Sequence, residues 1–176
     1  MLDKNILLSI KDVNIFKNKI LNNESLVGKK RIVCADFGTK KLGIAVSDMN
    51  KTIAFPKDII FGKFDNIHNL MLEIKCQINK YDAIGIIIGW PVGLNGELNY
   101  NCYIILKAAI ELNKTIPVLL FDERYTTKYA QRKIEERNNF KKNKKIKNDG
   151  QDDSISAMII LNDVLSILNN TNMYSN

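Results

Sequence analysis

Residues 31–48 read RIVCADFGTKKLGIAVSD, and the way apolar runs and turn residues follow one another here decides the fold. Arg31 to Ala35 is a short apolar run with the character of a buried strand, and Asp36 ends it. Gly38, Thr39, Lys40 and Lys41 form a polar turn, and Leu42–Val46 runs back as a second strand. The resulting hairpin has a carboxylate at its mouth and a hydroxyl and two cations at its tip. An ionised carboxylate among buried neighbours is costly unless something pairs with it. Asp36 is therefore either an Asx-type turn residue that fixes the hairpin or a functional acid, and the rest of the chain tilts the choice.

Downstream, Thr52–Ile60 reads as a third strand interrupted by Pro56, which suits a sheet edge or a bend. Asp65 is placed to cap a helix in which Ile67, Leu70, Met71, Ile74 and Ile78 recur at helical spacing up to Tyr81. Ala83–Gly89 (AIGIIIG) is apolar without alternation, as in a parallel strand covered on both faces. Trp90–Glu97 is its loop, Asn99–Asn113 reads as a helix, and Ile116–Phe121 as a strand ending in Asp122-Glu123-Arg124. Thr126 or Thr127 can cap a helix to about Arg137, a lysine-rich loop follows, and Asp152 to about Leu168 is the last helix. Three meandering strands followed by strand–helix alternation predict an α/β fold, a mixed sheet with helices on both faces. Residues 1–29 are Asn- and Lys-rich, with a weak helical pattern through Ile6, Leu7, Ile10, Val13 and Phe16. They read as a helical or partly disordered extension before a domain at 30–170 and a short tail at 171–176.

Apolar content of 45% and charged content of 26% are those of a soluble globular domain. The apolar runs are too short to cross a bilayer and MLDKNILLSI makes a poor signal peptide, so the expected compartment is the cytoplasm, with no membrane partner. The net charge of +7 favours a polyanionic partner. Cys34, Cys76 and Cys102 are far apart and odd in number, which predicts reduced, buried thiols and no zinc site. His68 is the only histidine, which excludes a site built on several His ligands.

Three acidic points share a logic. Asp36 ends the first strand, Asp122 and Glu123 end the last, and Asp152 and Asp153 open the final helix. Ligands of open α/β sheets gather beyond the carboxyl ends of parallel strands, which puts the first two on one rim. Asp153 stacks over Ala157, Ile160 and Val164, the apolar stripe expected to face the sheet, whereas Asp152 aligns with Ser156, Ile159 and Asp163. Asp153 is the better inward candidate, although an acid at a helix start is also an ordinary cap or dipole partner. Converging carboxylates without a His or Cys cluster suit Mg²⁺ or Mn²⁺. Two such ions can clamp the attacking and leaving oxygens of a phosphodiester. The segment 128–147 adds Lys128, Arg132, Lys133, Arg137, Lys141, Lys142, Lys144, Lys145 and Lys147 against only Glu135 and Glu136. That is either a solvated loop or a phosphate-backbone contact region.

The chain resembles the YqgF, or RuvX, family of the RNase H-like superfamily. The resemblance rests on Ala35–Asp48, the Gly89-Trp90-Pro91 loop with Asn95-Gly96, Asp122–Thr127, and Asp153–Ala157 leading into Met158–Leu161. It spans about residues 31–168 and implies a five-stranded mixed sheet, three antiparallel strands then parallel ones. It also implies a bacterial cytoplasmic nuclease that matures the 5′ end of small-subunit ribosomal RNA, or a Holliday-junction resolvase. Carried over by position, the catalytic acids are Asp36, Asp122, Glu123 and Asp153, with Asp36, Glu123 and Asp153 as metal ligands. The expected substrate-binding residues are Thr39, Lys40, Lys41, Arg124, Lys141, Lys142, Lys144 and Lys145. The expected partners are pre-rRNA, the small-subunit precursor and branched DNA. Trp90 departs from the smaller aliphatic residue usual in the family, and the first 29 residues lie outside its pattern. Strand alternation lets only one of Asp122 and Glu123 face the site, two spacings of ~4.8 Å from Asp36. Two other functions compete. Asp36-Phe37-Gly38-Thr39 also resembles the phosphate loop of actin-like ATPases and sugar kinases, which need a second domain that 176 residues do not hold. A nucleic-acid-binding module without hydrolysis would keep its activity when the carboxylates are replaced.

Overall fold

A computed structural model describes residues 4–22, 30–38, 40–92, 97–122 and 151–170. The hairpin is formed by β1 (Arg31–Phe37) and β2 (Lys41–Ser47), antiparallel from Val33↔Val46 to Phe37↔Leu42. Its turn closes with the Gly38 N–H donating to the Lys41 carbonyl at 2.9 Å.

The single third strand expected over Thr52–Ile60 is instead two short ones, β3 (Ala54–Pro56) and β4 (Ile60–Phe61), both antiparallel to β2. Pro56 has no N–H to continue the ladder. The chain gives its last bond from Lys57 N–H to the Ile44 carbonyl at 2.8 Å, leaves the edge, and returns opposite Lys41 and Leu42. The sheet therefore has six strands rather than five. Two parallel strands complete it, β5 (Ala83–Trp90) beside β1 and β6 (Val118–Asp122) beside β5, in the order β3-β2-β1-β5-β6.

One face carries α3 (Ile67–Lys80) and α4 (Tyr100–Leu112); the other carries α5 (Gln151–Asn170). Val33, Ala35, Ile44, Ile86 and Ile88 pack with Leu70, Ile74 and Ile105 on the first face. Ile32, Cys34, Ala45, Ile87 and Leu119 pack with Ala157, Ile160, Leu161 and Val164 on the second. All eight residues of β5 are buried, the physical reason for its unalternating sequence. Asn66, not Asp65, caps α3, accepting from the Asn69 N–H at 3.0 Å. Trp90 is the last residue of β5 rather than the first of a loop, and its indole N–H donates to the Cys102 carbonyl at 3.4 Å. Cys34 and Cys102 are buried free thiols as expected, but Cys76 is exposed, because it falls with Leu72 and Lys75 on the outer phase of α3. The helix expected at 126–137 lies outside the described residues.

Residues 4–22 form α1 (Lys4–Ser9) and α2 (Val13–Leu21) and belong to the core. Ile10 and Phe16 have no exposed surface. The Leu120 N–H of edge strand β6 donates to the Ile10 carbonyl at 2.6 Å, which occupies part of an otherwise open ladder. Phe16 lies against Gly85 of β5, where an added Cβ would stand 2.9 Å from its ring. The Lys11 ammonium sits 3.6 Å from the centre of the Trp90 ring. These two helices wrap the β6 edge, from the α3/α4 face to the α5 face. Among the described residues, no helix is long and apolar enough to cross a membrane.

Candidate active site

Face assignment follows from strand alternation. Ile32 and Cys34 point to α5, so Asp36 takes the same side. On β2, Ala45 points to α5, so Lys41 and Gly43 take that side too. Asp36 and Gly43 are direct partners across the hairpin. The first turn of α5 comes down on Gly43: a Cβ built there would collide with the Asp153 carbonyl group and stand 3.0 Å from the Ser154 nitrogen. Only a residue without a side chain lets the helix approach this closely.

Gly43 is thus flanked by two acids, Asp36 from the neighbouring strand and Asp153 from the helix above. Below Asp153 on α5, Ala157, Ile160 and Val164 are buried, as the helical phase predicts. Asp153 also lies in the first turn of a 20-residue helix, whose N-terminal partial charge favours a carboxylate. Its Oδ2 accepts from the Lys41 ammonium at 2.6 Å, with the two side chains 29% and 40% exposed. Asp36, Lys41 and Asp153 therefore gather on one face, at the carboxyl end of β1.

Asp122 does not join them. It follows Val118 and Leu120 in the alternation of β6, and those residues face α3 and α4. It is also opposite Trp90, two strands from Asp36. Lys40 is exposed at the hairpin tip, its carbonyl accepting from Gly62 N–H at 3.1 Å. Thr39, Glu123, Arg124, Lys141, Lys142, Lys144 and Lys145 lie outside the described residues, as does the Asp152 side chain. Gly43 as the seat of the helix, and Lys41 as partner of Asp153, were not read from the sequence. The signal available was the small pair Gly43 and Ala45, two residues apart on one strand face.

Asp48, the last residue of the opening stretch, sits at the other end of β2. Its carboxylate accepts from Thr52 N–H at 2.6 Å, Ile53 N–H at 2.9 Å and the Thr52 hydroxyl at 2.9 Å. Burial pushes its pKa up, but the N–H groups of Ile53, Thr52 and Asn50 and the Thr52 hydroxyl outweigh that and hold it below its ordinary value. Asp48 is a turn residue.

Among the described residues, no three His, Cys, Asp or Glu side chains gather as a metal site. The pair Asp36 and Asp153 still fits Mg²⁺ by its chemistry, because that ion keeps its waters and binds through one or two carboxylates plus substrate phosphates. In such a site the ion supplies charge for the developing oxyanions.

The sequence model of a family described as RuvX, Holliday junction resolvase, matches residues 30–167. A Rickettsia akari protein named "Putative pre-16S rRNA nuclease" is 33% identical over 161 residues, covering 89% of this chain and 99% of its own length. A Rickettsia bellii protein of the same name is 36% identical over 143 residues, covering 78% and 87%. Among solved structures, T. thermophilus RuvC in complex with a Holliday junction substrate is similar at a TM-score of 0.49 and 11% identity, over 74% of this chain and 90% of that one.

Proposed function

Because this chain belongs to the RuvX family, we propose that it is a divalent-metal-dependent nuclease that hydrolyses phosphodiester bonds of structured nucleic acid. Its proposed substrate is pre-16S rRNA, the RNA in the names of its relatives, with cleavage proposed at the 5′ end. The observation that carries the reading is the meeting of Asp36 and Asp153 on the two sides of Gly43.

In this reading Asp36, Asp153 and Glu123 hold Mg²⁺ or Mn²⁺, two ions in all. Glu123 is preferred to Asp122 on sequence parity, since it stands two and four residues after Phe121 and Leu119, which face α5. The acids would hold the ions, whose positive charge would offset the repulsion between these carboxylates and the substrate phosphates. Thr39, Lys40, Arg124, Lys141, Lys142, Lys144 and Lys145 bind the nucleic-acid backbone, and the +7 net charge supports them. The compartment is the cytoplasm and the partner in the cell is the small-subunit precursor.

Junction resolution is the second reading, favoured by the description of the family model. Precursor rRNA and branched DNA, incubated side by side with Mg²⁺ or Mn²⁺, separate the two. The precursor is expected to be cut, and Asp36→Asn and Asp153→Asn each to lower cleavage at least about a hundred-fold, with binding retained or tighter. Cutting of branched DNA alone selects the second reading. Cleavage by Asp36→Asn at the wild-type rate overturns the role given to this acid pair. A wild-type chain that binds nucleic acid but cuts neither substrate with Mg²⁺ or Mn²⁺ removes both readings and leaves a nucleic-acid-binding module.

A further inference from the structure

Lys41 opens β2 two residues before Gly43, so its side chain leaves the sheet on the α5 face with Asp36 across the hairpin. Its ammonium lies 2.6 Å from Oδ2 of Asp153, and the pair is partly open to water, at 40% and 29% exposure. An ion pair this exposed adds little to stability. Its position is more informative than its strength. Asp153 is one of the two acids flanking Gly43, and Lys41 already accepts the role of cation toward it. A divalent ion drawn to Asp36 and Asp153 competes with Lys41 for the negative charge of the Asp153 carboxylate, whose Oδ2 now accepts from the ammonium. The same ammonium, two-fifths exposed at the rim, is within the flexible reach of a phosphate bound there.

We propose that Lys41 is a resident counter-cation of the acid pair. It compensates Asp153 in the metal-free protein, is displaced when a divalent ion binds, and is thereby released to the substrate phosphate. Metal loading and substrate grip are then coupled through one side chain, and Lys41 is a positioning residue as well as a backbone contact. This rests on the metal-dependent nuclease reading and adds to it an order of events. Displacement has two consequences of opposite sign. Removing the ammonium removes a competitor for Asp153, so metal binds more tightly; it also removes a phosphate contact, so nucleic acid binds less tightly. A merely structural lysine would weaken both together.

The test uses the full chain without substrate, titrated with Mn²⁺ while the free ion is followed by electron paramagnetic resonance. Lys41→Met and Lys41→Gln are expected to bind Mn²⁺ about two- to fivefold more tightly, the range that corresponds to the loss of an exposed ion pair. Lys41→Arg keeps the charge and stays near wild type. In an Asp153→Asn background the gain from Lys41→Met disappears. With Ca²⁺ in place of Mn²⁺ and pre-16S rRNA as probe, Lys41→Met binds the RNA several-fold more weakly. Equal or weaker Mn²⁺ affinity in both neutral variants overturns this proposal alone and leaves the nuclease reading standing. A wild-type chain that takes up no Mn²⁺ overturns the metal reading, and the exchange with it.

Discussion

Replacing Gly43 by alanine tests the geometry on which the candidate site depends. The added Cβ would meet the carbonyl group of Asp153 and come within 3.0 Å of the Ser154 nitrogen. Both are backbone atoms of a helix seated on Ala157, Ile160 and Val164, so neither can rotate aside as a side-chain tip would. Overpacking of this kind destabilises by about 1–3 kcal/mol, and the backbone contact places Gly43→Ala toward the upper end, about 2–3 kcal/mol. For a chain of this size that lowers Tm by about 4–12 °C. The relief available is a lift of the α5 N-terminus, which carries Asp153 away from Asp36. Misplacement by about 1 Å costs on the order of a hundred-fold in rate. Gly62→Ala is the comparison: its Cβ would meet the buried Phe64 ring at 2.8 Å, a side chain rather than helix backbone, so its effect is expected to be the smaller of the two, toward about 1 kcal/mol. The assays are thermal melting and cleavage of the precursor at saturating Mg²⁺. A Gly43→Ala chain that melts and cuts like wild type would refute the close approach of α5 to β2.

Three further outcomes are expected. Phe16→Ala removes a ring with no exposed surface that sits on Gly85, and chemical denaturation should report a loss of about 3–5 kcal/mol. Asp48→Asn should flatten the acid limb of stability. A carboxyl held below its ordinary pKa in the folded chain contributes fully above its unfolded value and loses that contribution as pH falls through the folded one, here below about pH 4. Melting of wild type and variant from pH 6 to pH 3 should therefore converge at the acid end; parallel curves would count against it. Replacing Lys141, Lys142, Lys144 and Lys145 together by Gln should weaken RNA binding for every sequence tested, and reduce the slope of log affinity against log salt by up to about three. An unchanged slope assigns these lysines to solvation.

The sequence by itself determined the hairpin strands β1 and β2, the parallel strands β5 and β6 and the helical phase of Asp153, but not the division of Thr52–Ile60 into β3 and β4. A buried parallel strand such as Ala83–Gly89 has to be apolar throughout, and the hairpin has to turn at Gly38. Asp153 has to fall on the stripe of Ala157, Ile160 and Val164, since helical phase is a local property. Capping was legible to within one residue, because Asp65 and Asn66 are both able to cap and only backbone geometry at Asn66 selects between them. The first 22 residues were harder to read for a physical reason. Ile10 enters one core while Phe16 and Ile20 enter the other, so their apolar positions obey the route around β6 and not one helical period. The same holds at the site. Asp36 and Asp153 are 117 positions apart in the chain, and nothing local tells either of them about Gly43. Their meeting is decided by how near α5 can come to the sheet, and Lys41 reaches Asp153 only because the strand that lacks a Cβ at Gly43 points Lys41 to the same side.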